Sequence, residues 1–233
     1  MFIALQQTPI DSLATQEPLP PVEKTLSVFE LIQNGGLSAQ IIIVLLLVML
    51  AVALYIYFER LSAIKAASNV DRDLMNQVKN HVLKGNLEAA RLSCAQDKSP
   101  AARMIETGIS RIGKPLDDIN KAIENKGSLE IYKLEKNVSI LATIAGAGPM
   151  IGFLGTVVGM ILAFHEMASS GGQAEMGMLA SGIYTAMSTT VAGLIVGIIA
   201  YIAYNHLVVR TNKVVYEMEA QSVEFLDLLN EPA

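Results

Sequence analysis

Tryptophan is absent, cysteine occurs once, and charged side chains make up 17% of the 233 residues, below the roughly one quarter usual for a soluble domain. The single cysteine, Cys94, excludes any disulfide within the chain. It falls in a charged region and reads as a small buried residue. The formal net charge is −5, and no basic patch with interleaved aromatics is present. A nucleic-acid partner is therefore not expected. Charge is also missing by position: three long stretches contain no Asp, Glu, Lys or Arg at all.

What fills those stretches is apolar. The first spans residues 37–58, with its core from Ile41 to Leu50, and Glu59-Arg60 ends it. As a helix it reaches about 33 Å, enough to cross a hydrocarbon core of about 30 Å. Tyr55 and Tyr57 sit where interfacial aromatics are favoured. A cleaved signal peptide does not fit, because a polar, proline-bearing tail precedes the run and no small-residue cleavage site follows it. The second and third stretches, 138–164 and 177–204, would each be about 40 Å long. They are expected to tilt or to project from the bilayer. The link between them, 165–176, is short enough to make them an antiparallel hairpin. The pattern predicts an all-α integral membrane protein with three transmembrane helices, the long second and third extending into a helical cytosolic domain.

Orientation follows from Lys and Arg. Fourteen of the seventeen lie in residues 59–137; the tail before the first span has only Lys24, and the link has none. The positive-inside rule puts the block 59–137 in the cytosol and the tail (1–36) and the link outside, in the periplasm. Arg210 and Lys213 agree with a cytosolic C-terminal helix over 205–233. Pro9, Pro18, Pro20 and Pro21 leave residues 1–22 without a helical pattern. Leu26, Phe29 and Ile32 then predict a short amphipathic helix over 26–33 on the membrane surface, stopped by Gly35-Gly36. Within the block, Gly85-Asn86, Ser99-Pro100 and Gly113-Lys114-Pro115 punctuate helical runs. The last run, Leu116 to Lys136, is expected to continue unbroken into the second span.

The second span is rich in small residues. Gly148, Gly152, Gly155 and Gly159 fall within about 60° on a helical wheel, a smooth stripe with two GxxxG spacings. Two readings stay open: packing within this chain, or tight packing between subunits around a shared axis. Pro149 removes a backbone donor and is expected to kink the span. The third span carries Ser181, Thr185, Ser188, Thr189 and Thr190. Ser181, Thr185 and Ser188 share one face. Gly182, Ala186, Gly193 and Gly197 form a second, small face, which Thr190 borders. Any one hydroxyl is simply explained by a bond to the carbonyl one turn earlier. Five between residues 181 and 190 point to a polar cavity. Yet a proton path needs a titratable group, and intramembrane carboxylates usually supply it. These spans have none, so a second protein would have to bring it.

At these residues a family resemblance enters. The segment from Leu141 to Met160, with Ala145-Gly146-Ala147-Gly148-Pro149 and Gly152-Phe153-Leu154-Gly155-Thr156, resembles the hallmark of the MotA/TolQ/ExbB proton-channel family. Gly182 through Thr190 to Gly193, ending near Tyr204-Asn205, is similar to the family's third span. Gly85 to Arg91 and Leu134-Glu135-Lys136 also fit. Three spans with an outside N-terminus favour its ExbB and TolQ branches, ExbB first.

The resemblance implies a non-enzymatic subunit of the bacterial inner membrane, working without cofactor or metal. It implies a homopentamer around a pore that holds the single helices of two ExbD- or TolR-like partners, each with one Asp. A TonB-like protein would pass the work to outer-membrane transporters. The family's pore threonines fall on Thr156 and Thr190. Thr185, Ser181, Ser188 and Pro149 are candidates for further pore or intersubunit polar contacts. Thr185 stands where many relatives carry a Glu, so that carboxylate is not available here. A TolQ-like role in the Tol-Pal system, or a gliding or secretion motor, would use the same physics. An intramembrane hydrolase built on Ser181 does not fit, since His165 and His206 lie near opposite ends of their spans. A scaffold without ion passage would be separated from a motor by proton flux.

Overall fold

The computed structural model describes residues 37–68, 73–169 and 176–230. The tail with its expected helix at 26–33, and residues 170–175 of the link, lie outside the described residues. Among the described residues every regular element is an α-helix: α1 Leu37–Ala67, α2 Leu74–Leu83, α3 Leu87–Gln96, α4 Pro100–Ile109, α5 Leu116–Glu135, α6 Val138–Ser169 and α7 Met176–Asn230. The three helices long and apolar enough to cross a membrane are α1, α6 and the upper part of α7. In α1 and α6 only 17% of the most apolar window is buried within the chain. Exposed residues such as Ile41, Val44, Val48, Phe153, Leu154 and Ile161 therefore need lipid or other chains against them. The protein is an all-α membrane protein.

The small helices start and stop for local reasons. Gly85 takes φ +72° and turns the chain out of α2. Asn86 then caps α3 by accepting from the Ala89 N–H at 3.1 Å. Ser99 caps α4 in the same way through the Ala102 N–H at 3.1 Å, with Pro100 in the first helical turn. Gly113, at φ +98°, ends the turn after α4. The apolar faces of α2 to α5 meet the lower half of α7 in one core, in which Val78, Ala102, Ile105, Ile123 and Phe225 are fully buried. α7 runs unbroken for 55 residues, from the membrane through this block.

One expectation fails. α5 does not continue into the second span. Lys136 adopts an extended ψ of 129° and Asn137 a φ of 63°, and α6 begins only at Val138. A residue in the left-handed region cannot propagate a right-handed helix, and Asn is among the few side chains that tolerate it. Arg60, at the foot of α1, holds this corner. Its Nη1 donates to the Lys133 carbonyl at 3.1 Å, and it pairs with Glu59.

Candidate functional site: a threonine cluster in the membrane hairpin

α6 and α7 form the most extensive helix pair in the molecule, and glycine on both sides explains it. A Cβ added at Gly148 would lie 3.1 Å from the Gly193 carbonyl oxygen; one at Gly152 would meet the Thr189 carbonyl at 2.8 Å; one at Gly159 would meet the Ala186 Cβ at 2.8 Å. From the other side, a Cβ at Gly193 would sit 2.6 Å from the Gly148 carbonyl oxygen, and one at Gly182 2.7 Å from the Ala163 Cβ. The stripe on α6 thus interlocks with the small face of α7 in the same chain, backbone against backbone. Pro149 packs its ring toward Gly197, where an added Cβ would lie 2.7 Å from the Pro149 Cδ.

This approach brings three hydroxyls to one carbonyl. The Gly152 oxygen accepts from Thr190 Oγ1 at 3.1 Å, from Thr189 Oγ1 at 3.2 Å and, less closely, from Thr156 Oγ1 at 3.4 Å. The Ala186 oxygen accepts from Thr189 Oγ1 at 2.7 Å and from Thr156 Oγ1 at 3.2 Å. Thr156 and Thr190 also hydrogen-bond each other across the hairpin. Each hydroxyl has one proton and two lone pairs. The pair can therefore point its protons either way, one toward its mate and the other toward a carbonyl. Both residues are half-buried, so each keeps a side open. The group can donate to a carboxylate, and can donate to or accept from a water or a protonated carboxyl, but it holds no charge of its own.

The two threonines singled out from sequence are thus brought together, and the four stripe glycines line the contact beside them. Ser181 is exposed and Ser188 half-buried on another face of α7, and Ser188 Oγ donates back to the Tyr184 carbonyl at 2.8 Å. Thr185 is half-buried next to them. These three do not join the cluster. Thr189 does, although the sequence reading counted it among the five hydroxyls without making it a site candidate: it is fully buried against Gly155. The signal was present. On a helical wheel Thr189 and Thr190 bracket the small face centred between Gly193 and Ala186 at about 50° on either side.

Outside the membrane spans, two titratable groups are displaced. Burial alone would raise the Glu130 carboxyl. Hydrogen bonds from Arg103 and Lys133, the Arg103 charge and a hydrogen bond from Lys126 outweigh it and hold the group at about 2. The bonds are short: Arg103 Nη2 to Oε2 at 2.7 Å and Lys133 Nζ to Oε1 at 2.8 Å. Cys94 is pushed up to about 12 by burial and by the nearby charges of Glu106 and Asp97, so its thiol stays protonated.

The family model described as the MotA/TolQ/ExbB proton channel family matches residues 96–220, more than half of the chain and all of the threonine hairpin. Among curated proteins, the Tol-Pal system protein TolQ of Haemophilus influenzae is 42% identical over 105 residues, 45% of this chain and 45% of that protein. TolQ of Pseudomonas aeruginosa is 24% identical over 222 residues, covering 91% of this chain and 96% of its own length. The biopolymer transport protein ExbB of Helicobacter pylori is 36% identical over 92 residues, 40% of this chain and 62% of that protein. With three apolar helices, a glycine-locked hairpin and paired threonines all inside the matched or adjoining residues, the chain belongs to the MotA/TolQ/ExbB proton channel family.

Proposed function

We propose that this chain is the channel-forming subunit of an inner-membrane motor driven by the proton motive force, ExbB-like in output, energising TonB-dependent outer-membrane transport. The observation that carries the reading is the Thr156–Thr190 pair: polar, half-open and set between two apolar stretches, 138–164 and 177–204, that contain no carboxylate. In this reading the carboxylate is an Asp on the single helix of an ExbD- or TolR-like partner. The threonine hydroxyls would hold water or the Asp itself, lowering the cost of its charge within hydrocarbon. Several copies, five by the family resemblance, would bury the apolar outer faces of α6 and α7 around that helix. The tail and the link would face the periplasm, and the block carrying α2 to α5 the cytosol, following the Lys and Arg asymmetry.

The test is reconstitution with an Asp-bearing single-span partner. Proton flux into liposomes should require both proteins. It should fall at least about tenfold in the Thr156→Val, Thr190→Val double variant, whose shape is kept and hydrogen bonds removed. Unchanged flux in that variant ends the assignment. A TolQ-like output has support of its own, because the Pseudomonas TolQ relative aligns over 91% of this chain. Rescue of envelope integrity in a strain lacking TolQ, without rescue of TonB-dependent uptake in one lacking ExbB, would select it.

A further inference from the structure

We propose that the cleft between the foot of α1 and α7 is a binding site for a phosphate-bearing anion, presented at the depth of an acidic phospholipid headgroup. The cleft is lined by Ser62 and Lys65 from α1, by Ser68 in the turn just after it, and by Arg210 and Lys213 from α7, with a volume of about 710 Å³. Three cations and two hydroxyls converge there, and among the described residues no carboxylate lines it. The only acid paired with any of these cations in the described structure is Glu217, whose Oε1 lies 4.0 Å from Lys213 Nζ.

Arg210 is held in place. Its Nε donates to His206 Nε2 at 2.9 Å, which makes Nε2 the unprotonated ring nitrogen. The other ring nitrogen, Nδ1, then donates to Tyr57 Oη at 2.9 Å. This chain of three side chains ties α1 to α7 and leaves the two terminal guanidinium nitrogens of Arg210 for a ligand. A planar fork beside two lysines suits phosphate oxygens, which accept several charge-assisted hydrogen bonds at once.

Depth argues for the lipid source. Lys65 lies seven residues past Phe58, the end of the first apolar run, and Arg210 six past Tyr204. Both stand about 10 Å of helix past the ends of their apolar runs on the Lys- and Arg-rich side, the level at which cationic side chains meet anionic headgroups.

The experiment is native mass spectrometry of the detergent-purified full chain in its assembled state. It is titrated with phosphatidylglycerol, with phosphatidylcholine, and with phosphatidylglycerol in the presence of millimolar inorganic phosphate. The wild type should bind phosphatidylglycerol at least several-fold more tightly than phosphatidylcholine. Lys65→Gln with Lys213→Gln should weaken it about tenfold or more, at about 1 kcal/mol per cation. The control pair, Lys114→Gln with Lys121→Gln, removes the same charge at exposed positions of the helical block and should leave binding unchanged. Equal losses in the two pairs, or no preference between the lipids, overturns the site. Displacement of the lipid by millimolar phosphate overturns the headgroup assignment.

Discussion

Thr189 and Gly152 lie on opposite helices of the membrane hairpin, and the hydroxyl of one shares its single proton between the carbonyl of the other, at 3.2 Å, and the Ala186 carbonyl of its own helix, at 2.7 Å. Thr189 is fully buried, and the Gly152 carbonyl also receives Thr190. The buried hydroxyl locks the backbone against which the half-open pair is set. Thr189→Val keeps the volume and removes the bond. The expected cost is about 1 kcal/mol of hairpin stability, read as a lower melting temperature in detergent. Thr156→Val and Thr190→Val, on the half-open side, should shift melting less than Thr189→Val does. The reverse order would place the structural weight on the open pair.

Glycine tolerance should divide sharply along α6. A Cβ at Gly152 meets backbone at 2.8 Å, whereas one at Gly146 meets nothing within 4 Å. Gly152→Ala must push two helices apart and is expected to cost about 2 kcal/mol or more. Gly146→Ala should be neutral or stabilising by up to about 1 kcal/mol, from helix propensity alone. Thermal unfolding of both variants under the same detergent conditions decides this, and similar melting temperatures contradict the packing described.

Glu130 predicts acid sensitivity. Its carboxyl titrates lower folded, at about 2, than unfolded, at about 4.3. A depressed folded value means the unfolded chain takes up the proton first. The stabilisation is therefore complete above about pH 4.3 and is lost as pH falls toward 2. Glu130→Gln removes the acid from a site facing Arg103, Lys126 and Lys133. It should cost on the order of 3 kcal/mol at neutral pH and flatten the profile between pH 4.3 and 2. A variant as acid-sensitive as wild type would mean another group sets that limb.

Cys94 should be silent until the chain opens. It is 1% exposed and its thiol is pushed up to about 12. At pH 8 a maleimide should modify the native protein far more slowly than the denatured one. Rapid native labelling would show that the core of α2 to α5 opens.

Much of this was legible in sequence because membrane helices leave strong marks. Uninterrupted apolar runs announced α1, α6 and α7, and Asn86 and Ser99 marked helix starts that the structure realises as caps. The stripe of Gly148, Gly152, Gly155 and Gly159 was visible, but which surface it meets was not. A helical wheel gives direction and not partner, and only the opposing Gly193 and Gly197 show that the stripe closes on its own chain. The break at Asn137 was missed because neither proline nor glycine marks it, and Asn in the left-handed region has no distinct sequence signature. Thr189, though counted among the hydroxyls, was not singled out for a related reason. Hydroxyls were weighed by membership of one face, whereas burial was decided by the small residues that face lies beside.

α7 has no glycine or proline after Gly197 and no break before Asn230. It therefore lacks, over that length, the residues at which helices usually kink sharply. About 50 Å separate Thr190 in the membrane from Phe225 in the helical block, where Phe225 is wedged beside Gly108 and Ile123. The two ends are parts of one continuous element, so the position of one constrains the position of the other. The helix that frames the threonine cluster is also a beam of the helical block.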